Sequence, residues 1–301
     1  MQYTSLRGDR LRVSRVGIGT FNTVSRQADM NVVVDAALDV GITLFDTAES
    51  YRNGGMENML GKALGGKRDQ AIIATKWGLK ESELPASSPN YIVQACERSL
   101  KRLGTDRIDL YQYHHFDRSV PIEDTLGALQ ALQQQGKIIE YGLSNVKAPL
   151  FKKVVAEAKR AGAPLPVTSQ EHYSYLHRDV EEDFLATLNK EQACLLAYYP
   201  LEAGLLTGKY RQGETPASGT RLGRKPDAPA VQKRLQGADW PRIAELDDFA
   251  SSQRVTVGQA ALAWILRKQE VASVLAGATS AEQVKQNAEA AALAQTLEFP
   301  D

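Results

Sequence analysis

The chain has 301 residues, 43% hydrophobic and 24% charged, and its 36 Lys and Arg balance 36 Asp and Glu. That is enough chain for one large α/β core, and a formal net charge of zero leaves no global basic field to hold nucleic acid or an anionic membrane. No apolar run is long enough to span a bilayer, residues 1–7 lack the apolar stretch of a signal peptide, and Cys96 and Cys194, both among apolar neighbours, make no disulfide framework, so a cytoplasmic protein is expected.

The first predicted element is a β-hairpin, residues 3–6 and 10–13 around Arg7-Gly8-Asp9. Eight short apolar strand candidates follow, at 15–19, 42–45, 71–75, 108–114, 138–143, 167–170, 193–198 and 272–276. Between them apolar residues recur at helical spacing. Met30, Val33, Val34, Ala37 and Leu38 form one stripe, with Gly41 as its stop. Ile92, Cys96, Leu100 and Leu103 form a second, ended by Gly104, and Ile122, Leu126, Leu129 and Leu132 a third, ended by Gly136. Ala261, Leu262, Ile265 and Leu266, then Val284, Ala288 and Ala291, close the series.

Strands that alternate with helices pair in parallel through right-handed crossovers. Eight such units in about 300 residues match a closed (β/α)8 barrel, the TIM barrel. The alternative is an open, doubly wound sheet with a Gly-rich phosphate loop after its first strand. Gly17-Ile18-Gly19-Thr20-Phe21-Asn22 lacks the third glycine, and no helix opens directly after it. One segment breaks the rhythm: residues 205–240, rich in Gly, Pro, Arg and Lys, read as a long loop after the seventh strand. No linker divides the remainder, so a single domain over residues 1–301 is expected.

Barrel enzymes carry their reactive groups at the C-terminal ends of the strands. Asp46, Lys76 and His114 stand at the ends of three consecutive strand candidates, and Tyr51 follows on the loop over the first of them. Neighbouring strands lie about 4.8 Å apart, so these side chains can converge. A tyrosine is a weak acid at neutral pH, and a nearby ammonium favours its phenolate and lowers its pKa. Asp46 would fix Lys76 by pairing with it, and His114 would orient a carbonyl oxygen by hydrogen bonding. Tyr51 would then deliver a proton to that oxygen, or take it back in the oxidative direction.

Phe45-Asp46-Thr47-Ala48-Glu49-Ser50-Tyr51, with Glu57 and Leu60-Gly61-Lys62-Ala63-Leu64 behind it, resembles the signature segment of the aldo-keto reductase superfamily. Leu100-Lys101-Arg102-Leu103-Gly104, Asp109-Leu110-Tyr111-Gln112-Tyr113-His114, Gly142-Leu143-Ser144-Asn145 and Gly277-Ala278-Thr279-Ser280, with Gln283 and Asn287, match in the same order. The resemblance runs from about residue 15 to about 290. It implies that Asp46, Tyr51, Lys76 and His114 are a catalytic tetrad, and its spacing selects His114 over the adjacent His115.

The same resemblance implies a nicotinamide site. Ser144, Asn145 and Gln170 match positions that bond the carboxamide, Tyr198 the aromatic on which the ring stacks, and Thr20, Phe21 and Asp46 border it. Pro200, Leu201, Gly204, Leu206, Gly208 and Lys209 resemble the pyrophosphate belt. Gly277, Thr279, Gln283, Gln286 and Asn287 match the adenosine end, with Ser280 capping the last helix. Substrate contacts are expected from Phe21, Trp77, His115 and Phe116, with Tyr173 and the 205–240 segment nearby.

NADPH is the expected cofactor on family grounds, with NADH the alternative. Lys and Arg are absent from the positions of Gly277, Thr279 and Gln283 that often hold the 2′-phosphate, and Gln286 stands where a Glu is common. Arg221, Arg224, Lys225 and Lys285 are the nearby cations that could substitute. Met56 and Tyr199 each replace a frequent Ser. The expected function is reversible reduction of an aldehyde, ketone or sugar-type substrate by a monomer. The alternatives are a cofactor-binding regulatory subunit of the channel-β type, which shares the Gly277–Asn287 run, and a metal-dependent barrel hydrolase, for which four histidines, two of them after one strand, are too few. No metal is expected.

Overall fold

A computed structural model describes residues 1–78, 83–117 and 119–300. Strands β1 (Tyr3–Ser5) and β2 (Arg12–Ser14) form an antiparallel hairpin. Eight further strands follow: β3 (Val16–Gly19), β4 (Leu44–Asp46), β5 (Ile72–Trp77), β6 (Ile108–Tyr113), β7 (Ile138–Ser144), β8 (Thr168–His172), β9 (Cys194–Tyr198) and β10 (Val271–Ala276). They close into a parallel barrel in chain order, with β10 completing the ring against β3. This is the (β/α)8 barrel that the strand-helix alternation implies. The hairpin plugs its lower end, where Leu6, Leu11 and Val13 pack on the barrel-interior residues Leu44, Ala74, Leu110, Leu196 and Leu275.

The helical stripes become α1 (Gln27–Asp39), α3 (Pro89–Leu103), α4 (Ile122–Gln134), α9 (Val257–Leu266) and α10 (Ala281–Thr296). Gly104 ends α3 as its sequence position suggests, at φ 64° with its N–H on Leu100 O. Three more crossover helices, α2 (Gly55–Leu64), α5 (Ala148–Ala161) and α6 (Phe184–Lys190), complete the outer layer.

The segment 205–240 is more ordered than a long loop. It holds short 3-10 turns, α7 (Pro229–Gln236) and the start of α8 (Trp240–Ser252). A separate small core of Leu205, Leu206, Tyr210, Leu222, Ile243, Leu246, Val257 and Ala261 fixes it to α8 and α9. The excursion therefore rests as a packed flap on the catalytic face.

A glycine in the signature segment has a packing reason. A Cβ on Gly61 would sit 2.3 Å from the backbone oxygen of Leu103, where α2 passes α3. Backbone cannot yield as a flexible side chain can, so Gly61→Ala should destabilise the protein by about 1–3 kcal/mol. Urea unfolding checks this; an unchanged midpoint would mean that the α2–α3 approach is not tight.

Candidate functional site

Side chains alternate across a strand, and this period decides which groups meet inside the barrel. Lys76 points in with Ala74, and Trp77 therefore points out. Trp77 is fully buried and stacks on Tyr113 at 4.9 Å and Tyr111 at 4.5 Å. It is a packing residue beneath the helices and does not line the cleft, which corrects the expectation of substrate contact. Tyr173 is likewise buried, bonded through its hydroxyl to Glu181 and packed on Trp264. Phe116 lies on Tyr113 and is also outside the cleft wall.

At the C-terminal mouth, Asp46 is the hub of a buried polar network. Its carboxylate accepts from Lys76 Nζ at 2.6 and 2.7 Å, from Gln170 Nε2 at 2.8 Å and from Gln112 Nε2 at 3.4 Å. Lys76 is fully buried. Its ammonium also donates to Thr47 O at 2.8 Å and to Tyr51 Oη at 3.3 Å. Because the lysine donates, the phenol oxygen accepts, and the phenol's own proton stays directed elsewhere. Gln112 was not singled out from the sequence, although it shares its inward parity with Leu110.

The charge balance differs from the sequence expectation. Burial and the Asp46 carboxylate hold the Tyr51 phenol well above its ordinary pKa. The ammonium lies 5.0 Å from the centre of the phenol ring, but its closest bonds go to Asp46. Burial lowers the Lys76 pKa against the opposing pull of Asp46 and Glu57. The resting tyrosine is thus a neutral, protonated phenol, not one poised toward its phenolate.

His114 continues the β6 ladder with its N–H on Trp77 O at 2.9 Å. Its ring stands edge-on to Tyr51 at 5.8 Å, and its Nδ1 is 3.4 Å from Ser50 Oγ. His115 stacks on His114 at 4.5 Å, so both imidazoles reach the cleft wall. Glu57, in the signature segment, works elsewhere: it joins Thr75 Oγ1 at 2.6 Å and Arg102 Nε at 2.5 Å, tying α2 to β5 and α3.

These groups lie at one end of a cleft of about 870 Å³. Asp46, Ser50, Tyr51, His114, Ser144, Asn145, Gln170 and Tyr198 line that end. Ser144 Oγ bonds Gln170 O, Asn145 Nδ2 bonds His114 O, and the Tyr198 hydroxyl donates to Asn145 Oδ1 at 2.8 Å. The set is therefore already cross-tied. Along the cleft come Pro200, Leu201, Gly204 and Lys209, then Gly277, Thr279, Gln283, Gln286 and Asn287 at the far end. Phe21 reaches the wall, while Thr20, Leu206 and Gly208 do not, and Leu206 belongs to the flap core. Arg221 and Arg224 overhang the cleft; Lys225 and Lys285 are not on its wall. Ser280 caps α10 as expected, and Gln283 folds back to bond Thr279.

Residues 15–298 match the profile of the Aldo/keto reductase family. The chain belongs to the aldo-keto reductase family. The chain is 37% identical to the aldo-keto reductase YhdN of Bacillus subtilis, over 95% of this chain and 87% of that protein. Identity is 31% to L-glyceraldehyde 3-phosphate reductase of Escherichia coli, over 96% and 87% of the two chains. A probable voltage-gated potassium channel subunit beta of Oryza sativa is also 31% identical, over 96% and 91%. The protein is an oxidoreductase acting on carbonyl groups, and aldo-keto reductases use nicotinamide cofactors.

The residues present fit such a group. Asn287 Nδ2 is a buried donor at the far end of the cleft with no partner among the described residues. A polar atom left so is costly unless a ligand satisfies it. Among the described residues, no cluster of three or more His, Cys, Asp and Glu could hold a metal, and no helix is long and apolar enough to cross a membrane.

Proposed function

We propose that this aldo-keto reductase is an NADPH-dependent carbonyl reductase in which Tyr51 is the general acid, and the general base in reverse. The observation that carries this reading is the 3.3 Å contact from Lys76 Nζ to Tyr51 Oη at one end of the cleft. When bound, the cofactor supplies hydride to the carbonyl carbon. Tyr51 gives its proton to the carbonyl oxygen, and Lys76 stabilises the phenolate that this leaves. The raised phenol pKa keeps that proton in place at neutral pH. Asp46 holds the ammonium in position, and His114 hydrogen-bonds the carbonyl oxygen. Phe21 and His115 border the substrate. Ser144, Asn145 and Gln170 would hold the carboxamide, and Tyr198 would offer the ring a stacking face.

A panel of aldehydes, ketones and sugar-type substrates, followed by loss of reduced nicotinamide absorbance, tests the reading. Turnover of none of them with either NADPH or NADH would contradict it, and would favour the second reading. That second reading, a cofactor-binding regulatory subunit, draws on the likeness to the channel-subunit relative.

The cofactor preference rests on Arg221 and Arg224 of the flap, which supply positive charge over the cleft where the adenosine end has none. Arg221→Ala/Arg224→Ala should raise KM for NADPH about tenfold and leave that for NADH nearly unchanged. Equal effects on both cofactors would remove these arginines from the 2′-phosphate. A single domain completes the reading, supported by the one closed barrel among the described residues; a monomer in the cytoplasm is the expected setting.

A further inference from the structure

Behind Tyr198 stands a second group of polar side chains that the chemistry above does not use. His172, at the end of β8, lies against the Tyr198 ring at 5.5 Å and 16° from parallel. His177 stacks on His172 in turn at 3.9 Å and 8°. Neither histidine lines the cleft, and the column runs from Tyr198 toward the surface, where the His177 side chain is partly exposed.

One carboxylate holds this column. Glu202 Oε1 is 2.6 Å from His172 Nε2 and also accepts from Ser174 Oγ at 2.6 Å. Its other oxygen faces Arg234 Nη1 of α7 at 3.4 Å. Glu202 is 7% exposed and sits at φ 48°, next to Ala203 at φ 54° and Gly204 in the segment beside the cleft. Left-handed backbone at a glutamate must be held by its surroundings, and these contacts hold it.

We propose that His172 and Glu202 are positioning residues for the nicotinamide ring, and that the charge of this pair sets how tightly the oxidised cofactor binds relative to the reduced one. The inference rests on the reading of Tyr198 as the ring's platform. The oxidised ring carries a positive charge and the reduced ring carries none, so only the oxidised form responds directly to local charge.

Burial alone would raise the Glu202 carboxyl, but hydrogen bonds from His172 and Ser174 carry it below the usual range. It is ionised at neutral pH. With His172 neutral, Glu202 is balanced by the facing Arg234, and the group does not oppose the oxidised ring. With His172 protonated the group carries one net positive charge, which opposes the oxidised ring. Protonation of His172 should therefore weaken the oxidised cofactor relative to the reduced one.

The other charged or titratable groups around His172 and Tyr198 include Glu171 of β8, whose carboxyl pKa is pushed by burial up to about 8. The others are Arg234 from α7, Tyr198 and Tyr199 from the end of β9, and His177 with Asp179, 3.7 Å from it, from the β8–α6 connection. Burial and then His172 lower the His177 pKa, so its imidazole stays neutral at neutral pH. At a separation of about 10 Å, an effective dielectric of about 20 and physiological screening, one unit of charge changes affinity about three- to tenfold.

The test measures dissociation constants of NADP+ and NADPH by quenching of tryptophan fluorescence, from about pH 8 to about pH 5.5. Taking their ratio cancels the titration of the 2′-phosphate, which both forms carry. In the wild-type protein the ratio for NADP+ over NADPH should rise about three- to tenfold as pH falls. His172→Phe keeps a stacking ring without the charge and should flatten the profile; His172→Gln does the same if the Phe variant does not fold. Glu202→Gln should show the raised ratio already at pH 8.

A flat wild-type ratio would overturn the inference. So would an unchanged slope in both His172 variants, which would assign the dependence to another group, Glu171 or the cleft histidines. Tyr198→Ala separates the two readings. If it leaves both affinities unchanged, the platform itself is wrong. If it weakens both while the His172 variants match wild type, only the role of the His172–Glu202 pair fails.

Discussion

Tyr51→Phe should bind NADPH with wild-type affinity and reduce carbonyl substrates about 10²–10⁴-fold more slowly, the range expected when a positioned general acid is removed. The substitution deletes one hydroxyl and keeps the ring. That ring packs on Phe21 at 5.0 Å and edge-on to His114 at 5.8 Å, so the wall of the cleft should keep its shape. The loss should fall on kcat, with cofactor affinity unmoved, because an interaction made as the proton transfers is absent from the ground state. Steady-state kinetics with a cofactor titration checks this. Full activity in the variant would place the proton source elsewhere in the cleft.

Lys76→Met should show two separable losses. The lysine is fully buried and bonded to both oxygens of Asp46, so its removal leaves a carboxylate with no opposing charge inside the barrel. Breaking a buried pair on one side costs about 3–5 kcal/mol. Gln170 and Gln112 also donate to Asp46 and would soften that cost without supplying charge. Asp46→Asn in the same chain removes the unpaired charge and should recover a large part of the stability. It should not recover activity, because no ammonium then faces the phenolate that Tyr51 becomes. Urea unfolding reads the first effect and kcat the second. A double variant no more stable than Lys76→Met would show that the charge of Asp46 is not what destabilises.

How much of this was legible in the sequence follows from what each signal encodes. The barrel was legible because eight short apolar runs alternate with helical stripes, and only a few topologies satisfy that order. Asp46, Lys76 and His114 were legible because each closes a strand, and Tyr51 because it follows at a fixed distance in the signature segment. Trp77 was misread although strand parity puts it on the opposite face from Lys76. Its stack with Tyr111 and Tyr113 is the consequence of that parity.

The flap was misread for a different reason. Pro229 and Pro241 look like loop residues, yet each occupies the first turn of a helix, where a missing N–H costs nothing. The apolar partners that fold those helices down lie far along the chain, in Leu205, Tyr210, Val257 and Ala261. Local periodicity does not carry such contacts. The bond from Tyr198 to Asn145 and the column behind Tyr198 were hidden likewise, since they join residues on three separate strand ends. The tyrosine's charge environment was hidden because it is a balance: the ammonium that should acidify it is already bonded to Asp46.

The chemistry comes down to which atom protonates the carbonyl oxygen. A crystal structure with NADP+ and an unreactive carbonyl ligand answers this directly. The carbonyl oxygen should lie within hydrogen-bonding distance of Tyr51 Oη, with Lys76 Nζ still on the far side of that oxygen. A carbonyl bonded to another donor, with the Tyr51 hydroxyl turned away from it, would contradict the role given to Tyr51.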